Sequence, residues 1–252
     1  MERNLTTGSV FKNIVIFSLP YFLSYFLQTL YGLADLFIIG QYEGVASTTA
    51  VSVGSQVMHM LTVLIVGLAM GTTVSIGRAV GAGDKKRMSA CVGNTVTLFM
   101  LVSVVLTAAL VLLVDPIVSV MSTPAEAVDG TVRYLTVCFI GIPFITAYNI
   151  ISSIFRGLGD SRSPMYFIAI ACVVNIVLDY VFMGVFHIGP AGAALGTIIS
   201  QTISVITALV AMGKKKIGIR VAGGDLKPQG KVMGQLLRVG VPVACQDGLI
   251  QG

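Results

Sequence analysis

Long apolar runs separated by short segments that carry nearly all the charge give this chain its pattern. A helix needs about 20 predominantly apolar residues to cross a hydrocarbon core about 30 Å thick. Six runs reach that length: Ile14 to Gly40, Val51 to Gly77, Ala90 to Val114, Val132 to Phe155, Met165 to Phe186, and Ala191 to Met212. Residues 213–235 read as a basic loop, and a seventh helix begins at Leu236 and is cut short at Gly252. The predicted fold is therefore all-α, a polytopic transmembrane bundle of six helices with the start of a seventh, expected to be part of a longer protein. The first run is too long for the apolar core of a signal peptide, about 7 to 15 residues, so it reads as an uncleaved helix.

Composition narrows the class. Charged residues are 11% of the 252, hydrophobic residues 55%, and mean hydropathy is +0.91; an ordinary soluble domain carries about a quarter charged residues. A water-facing exterior cannot be built from that, so the expected surroundings are a lipid bilayer and the expected location a cell membrane. The net charge of +5 reflects topology: fifteen of the sixteen Lys and Arg residues fall on one side of the six crossings, from Arg3 and Lys12 to the group Lys214, Lys215, Lys216, Arg220, Lys227, Lys231 and Arg238. Basic loops stay cytoplasmic during insertion, which predicts a cytoplasmic N-terminus. The other side holds Arg133 beside Asp115, Glu126 and Asp129. Without interleaved aromatics, these basic residues do not point to nucleic acid. Cys91, Cys138, Cys172 and Cys245 share no metal-like or paired spacing and read as small core residues.

Ionisable side chains inside the spans are few, and a carboxylate there is costly enough to suggest function. Asp35 lies about 7 to 8 Å below the outer end of the first helix and Asp179 about 12 Å below His187. Tyr31 precedes Asp35 by one helical turn, Asn175 precedes Asp179 by one turn, and Thr197 sits about 9 Å below the outer surface. Five polar side chains on three helices thus share one depth, and hard oxygen ligands there suit a proton or a sodium ion. The competing readings are an Asp35 that snorkels to water and an Asp179 that merely partners an amide. His59 reads as a packed, hydrogen-bonded histidine. Pro20 and Pro143 lie inside helices and permit bends, and Gly67 to Gly71 and Gly189 to Gly196 permit close helix approach. Phe17 to Pro20 and Val239 to Pro242 look alike, either a parallel repeat or chance. No metalloprotease, serine-hydrolase or phosphate-loop motif occurs, so an enzyme is not expected and no cofactor beyond the coupling ion is implied.

The chain resembles the multidrug and toxic compound extrusion (MATE) transporters over essentially its whole length. The resemblance rests on Pro20 with Asp35, Gly77-Arg-Ala-Val-Gly-Ala-Gly-Asp84, Arg156-Gly-Leu-Gly-Asp-Ser-Arg-Ser-Pro164, and Asn175-Ile-Val-Leu-Asp179. It implies the N-terminal lobe of a twelve-helix, two-lobed exporter that rocks between inward- and outward-facing states. Residues 213–235 would then be the inter-lobe loop, and most of the C-terminal lobe, a partner of this one, would be missing. It also implies small cationic amphiphiles as substrates, a cation site at Asp35, Asn175, Asp179 and Thr197, and Tyr31, Tyr134 and Asn149 beside it in the cavity. Asp247 in the seventh helix is given no role. The expected function is export in exchange for protons or sodium ions. The alternatives are a lipid-linked oligosaccharide flippase of the same superfamily, disfavoured because no basic residue falls mid-span, and a transport-inactive fragment.

Overall fold

The computed structural model describes residues 9–214 and 224–251, all helices and connections without a strand among them. In chain order the helices are α1 (Val10–Tyr42), α2 (Val45–Gly81), α3 (Lys85–Leu112), a short α4 (Val114–Val120), α5 (Val128–Ile140), α6 (Ile142–Gly157), α7 (Arg162–Asp179), α8 (Pro190–Lys214) and α9 (Gly230–Gln251). Of the basic residues assigned to one side by sequence, Arg3, Lys215, Lys216 and Arg220 lie outside the described residues.

Among the described residues five helices are long and apolar enough to span a membrane, and the α5–α6 pair, bent by 50° at its break, makes a sixth when counted as one broken span. The single run expected from Val132 to Phe155 is thus corrected to two helices that break at Gly141. The cause is local: Pro143 lacks the N–H that would continue the α5 ladder, and its ring excludes a carbonyl one turn earlier. Gly141 supplies the room, since a β-carbon there would run into the Ile198 side chain of α8. The remaining spans begin and end within a few residues of expectation except α2, which is 37 residues long and overruns the apolar run at both ends. The seventh helix begins at Gly230, ahead of Leu236, and α9 is not among the spans that pass the length and hydropathy test.

Two helix starts show why the connections stop where they do. Asp84 caps α3 by accepting the Arg87 N–H at 2.9 Å, after Gly83 turns the chain with φ of 68°. Asp160 caps α7, accepting from the Arg162 N–H (3.1 Å), the Ser163 N–H (3.0 Å) and the Ser163 hydroxyl (2.6 Å). At its far end α7 widens into one π-helical turn, Tyr180–Val185, before His187 and Gly189 take left-handed conformations and reverse the chain into α8.

α2 is the central helix, packed on α9, α6, α5 and α3. Glycine makes the α2–α9 contact close: a β-carbon on Gly71 would strike the Leu236 carbonyl oxygen, and one on Gly240 the Leu68 carbonyl oxygen. The segment before α9 is strapped to α3. The Asn94 amide donates to the Asp225 carbonyl at 3.2 Å and accepts the Gln229 N–H at 2.7 Å, while the Thr97 hydroxyl donates to the Leu226 carbonyl at 2.8 Å. α1 lies at the rim against α7, and its buried residues, Asp35, Ile38 and Ile39, are all near one end. Phe11, Leu19, Phe22 and Leu33 on its open side are 61–78% exposed, a surface that only hydrocarbon tolerates on this scale.

Three apolar clusters stack through the bundle. One contains Ile38, Ile39, Tyr134, Phe139, Met183 and Ala193; a second contains Tyr148, Ile151, Phe155, Phe167, Ala171 and Val205, with Leu27 and Tyr31 against it. α1, α6, α7 and α8 each cross from the first cluster to the second. The level at which they cross is where their polar residues fall.

Candidate cation site and cavity

At that level α1 presents Asp35 and α7 presents Asn175 and Asp179, one turn apart on one face. They are 5%, 1% and 0% exposed. α8 brings Thr197, whose hydroxyl donates to Asp35 Oδ2 over a long 3.5 Å and to the Ala193 carbonyl at 3.1 Å. The close approach of α8 to α7 depends on Gly196: a β-carbon there would occupy the place of Asp179 Oδ1 and come within 3.6 Å of Asn175 Nδ2. Asp35 stands in interaction range of Asp179 and Asn175. Even so, Asp35 Oδ1, both Asp179 oxygens and both Asn175 amide atoms are buried without a hydrogen-bond partner among the described residues.

Two enclosed carboxylates with no basic side chain beside them among the described residues are costly to hold ionised together, a cost that a proton or a small cation between them would offset. The ion pair among the described residues, Arg133–Asp129 at 3.0 Å, is elsewhere and largely exposed. With two carboxylates, one carboxamide and one hydroxyl, the donors are hard oxygens fit for sodium, and they lack the sulfur or imidazole that a transition metal prefers.

Asp35 and Thr197 also face a cavity of about 690 Å³, lined in addition by Tyr31, Tyr134, Asn149 and Gln201. That volume lies in the range of drug-sized ligand pockets, about 300 to 1,000 Å³. Asn175 and Asp179 do not line it; they stand behind Asp35. The residues assigned to the cation site and the cavity, Asp35, Asn175, Asp179, Thr197, Tyr31, Tyr134 and Asn149, therefore lie in one of two adjoining places, the buried carboxylate cluster or the cavity wall. Gln201 was missed, although its position one turn after Thr197 on the same face of α8 is a readable signal.

Three expectations need correction. His59 is not packed in the core; it is exposed on α2 and lines the cavity. Cys245 is exposed, unlike the buried Cys91, Cys138 and Cys172. Arg156, assigned to a loop, turns inward and sets its guanidinium 5.1 Å from the centre of the Tyr21 ring.

Comparison with known proteins bears on the whole arrangement. The MatE family model matches residues 20–181. The chain is 33% identical over 249 residues to the "Probable multidrug resistance protein YpnP" of Bacillus subtilis (strain 168), an alignment covering 99% of this chain and 56% of that protein. It is 30% identical over 242 residues to the "Probable multidrug resistance protein NorM" of Thermotoga maritima, covering 94% and 51%. Among solved structures, one described as MATE in the bent conformation superposes with a TM-score of 0.88 at 28% identity, over 94% of this chain and 53% of that one. A second, the outward-facing conformation of a multidrug resistance MATE transporter, gives 0.88 at 28% over 95% and 53%. The chain spans about half the length of the curated relatives it matches.

Proposed function

The chain belongs to the MatE family, and on that premise we propose that it forms the first lobe of a multi-pass cell-membrane exporter, N-terminus in the cytoplasm, that releases small cationic amphiphiles in exchange for a proton or sodium ion. The observation that carries the reading is the juxtaposition of the paired carboxylates Asp35 and Asp179 with the large cavity, Asp35 belonging to both. A cation drawn to the pair from outside neutralises it and closes Asp35 onto Thr197 and Asn175. Removing Asp35 from the cavity wall then takes away the negative charge that would hold a cationic substrate. Exchange needs no more than this opposition, since two ligands that favour different conformations weaken each other's binding reciprocally. The names of the relatives, which speak of multidrug resistance, agree with the substrate class.

The test is export of a fluorescent cationic dye from cells under an imposed proton or sodium gradient. It uses the chain alone and the chain joined to the second half of the Bacillus subtilis YpnP protein in place of that protein's own first half. Export driven by one gradient, and lost in Asp35→Asn and Asp179→Asn while membrane insertion is retained, is the expected result. Unchanged export in Asp179→Asn would remove the carboxylate pair from the mechanism.

A further inference from the structure

Toward the N-terminal end of α1, the large cavity adjoins a smaller recess of about 150 Å³, which shares Tyr25, Gln28, His59, Thr62, Tyr148 and Asn149 with it and reaches Tyr21. Arg156 and Asp247 both line it. They carry opposite charges, yet neither forms an ion pair among the described residues. The Arg156 guanidinium is held on one side by the Tyr21 ring at 5.1 Å and on another by the Ser153 hydroxyl, to which Nη2 donates at 3.2 Å. The ring and the hydroxyl together hold the guanidinium at the cavity wall, which Arg156 lines. Ser152, 2% exposed and lining the same cavity, has a hydroxyl without a hydrogen-bond partner among the described residues.

Size and sign together select the occupant. The recess itself, about 150 Å³, admits a group of headgroup size, and the larger cavity beside it leaves room for what that group is attached to. A simple anion suited to Arg156 would be repelled by Asp247, and a simple cation suited to Asp247 would be repelled by Arg156. A zwitterion satisfies both. A guanidinium fork prefers two oxygens on one centre, which a phosphate ester presents, and a lone carboxylate accepts from an ammonium group.

We propose that this pocket is a binding site for a zwitterionic phosphoethanolamine group, its phosphate on Arg156 and its ammonium on Asp247. The group can come from a membrane lipid or from a soluble phosphate ester. The recess does not include the cation pair, but it adjoins the transport cavity and shares Asn149 and His59 with it; its readout is binding and not export.

The chain reconstituted in nanodiscs is tested for retention of phosphatidylethanolamine against phosphatidylglycerol by native mass spectrometry. Wild type is expected to favour phosphatidylethanolamine by about tenfold, the value of one charge-assisted hydrogen bond. Asp247→Asn is expected to reverse the preference toward phosphatidylglycerol, and Arg156→Gln to lose retention of both. Displacement by millimolar soluble phosphoethanolamine supports the site with a soluble source, and retention against it supports the site with a membrane source. Equal retention of the two lipids by wild type, or a preference that neither substitution changes, overturns the proposal.

Discussion

Thr197 makes a limited contribution that can be isolated. Its hydroxyl is the donor to Asp35, but at 3.5 Å the bond is long and the same hydroxyl is also committed to the Ala193 carbonyl. Thr197→Val keeps the shape and removes the donor, with an expected cost of about 1 kcal/mol to cation binding. The half-saturating concentration of the coupling ion should rise about fivefold while the maximal dye export rate holds. A collapse of the maximal rate would instead make Thr197 part of the moving machinery. At this scale much was legible beforehand. Asp35, Asn175, Asp179 and Thr197 could be aligned in depth because helical rise is constant and charge inside an apolar run is conspicuous. Arg156 was misread because only the height of its Cα was considered. Helical side chains lean toward the N-terminus of their helix, so an arginine at the last turn of α6 reaches back into the bundle. His59 was misread because nothing in one sequence says which face of α2 meets a cavity.

Among the elements, α7 and α8 hold the carboxylate cluster together through a residue with no side chain. Gly196→Ala places a methyl group where Asp179 Oδ1 stands, and overpacking of this kind costs about 1 to 3 kcal/mol. The expected outcome is a lower melting temperature of the purified protein and dye export as poor as in Asp179→Asn. Gly213→Ala on the same helix meets nothing within 4 Å and should leave both unchanged; equal tolerance at the two positions would refute the close-approach argument. The sequence marked this stretch as glycine-rich but could not say which glycine matters, since a glycine is informative only once its neighbour is known. The break at Gly141 was half legible. Pro143 announced a bend, but whether a proline kinks one helix or separates two depends on the space that Gly141 finds beside Ile198.

For the molecule as a whole, the α2–α9 seam decides whether the strap over α3 stays in place. Gly71→Val drives a branched side chain against the Leu236 carbonyl, so α9 and the segment held by Asn94 and Thr97 should loosen together. Trypsin cleavage after Lys231 is expected to accelerate about tenfold, as a seam weakened by about 1 to 3 kcal/mol implies. Gly81→Ala, with nothing within 4 Å, serves as the control, and an unaltered cleavage rate in Gly71→Val would separate the strap from the seam. The all-α class and the order of the apolar spans were readable from hydropathy alone, whereas the strap was not, because Asn94 and Thr97 look like ordinary polar residues until the chain returns to them more than a hundred residues later.

α1, whose fully buried residues cluster near one end, is in mechanical terms a beam held firmly at that end and more lightly along its length, by Leu27 and Tyr31 against the second cluster and by Tyr21 against Arg156. The firm end, Asp35 to Ile39, contains the carboxylate to which the proposed cation would bind, so a small rotation there would be magnified along the arm that runs back to Val10. Phe11, Leu19 and Phe22 on that arm are exposed, and hydrocarbon around them would yield sideways far more readily than a packed protein neighbour. Motion of the arm would then be resisted mainly through α7, with the bilayer as the bearing on its open side.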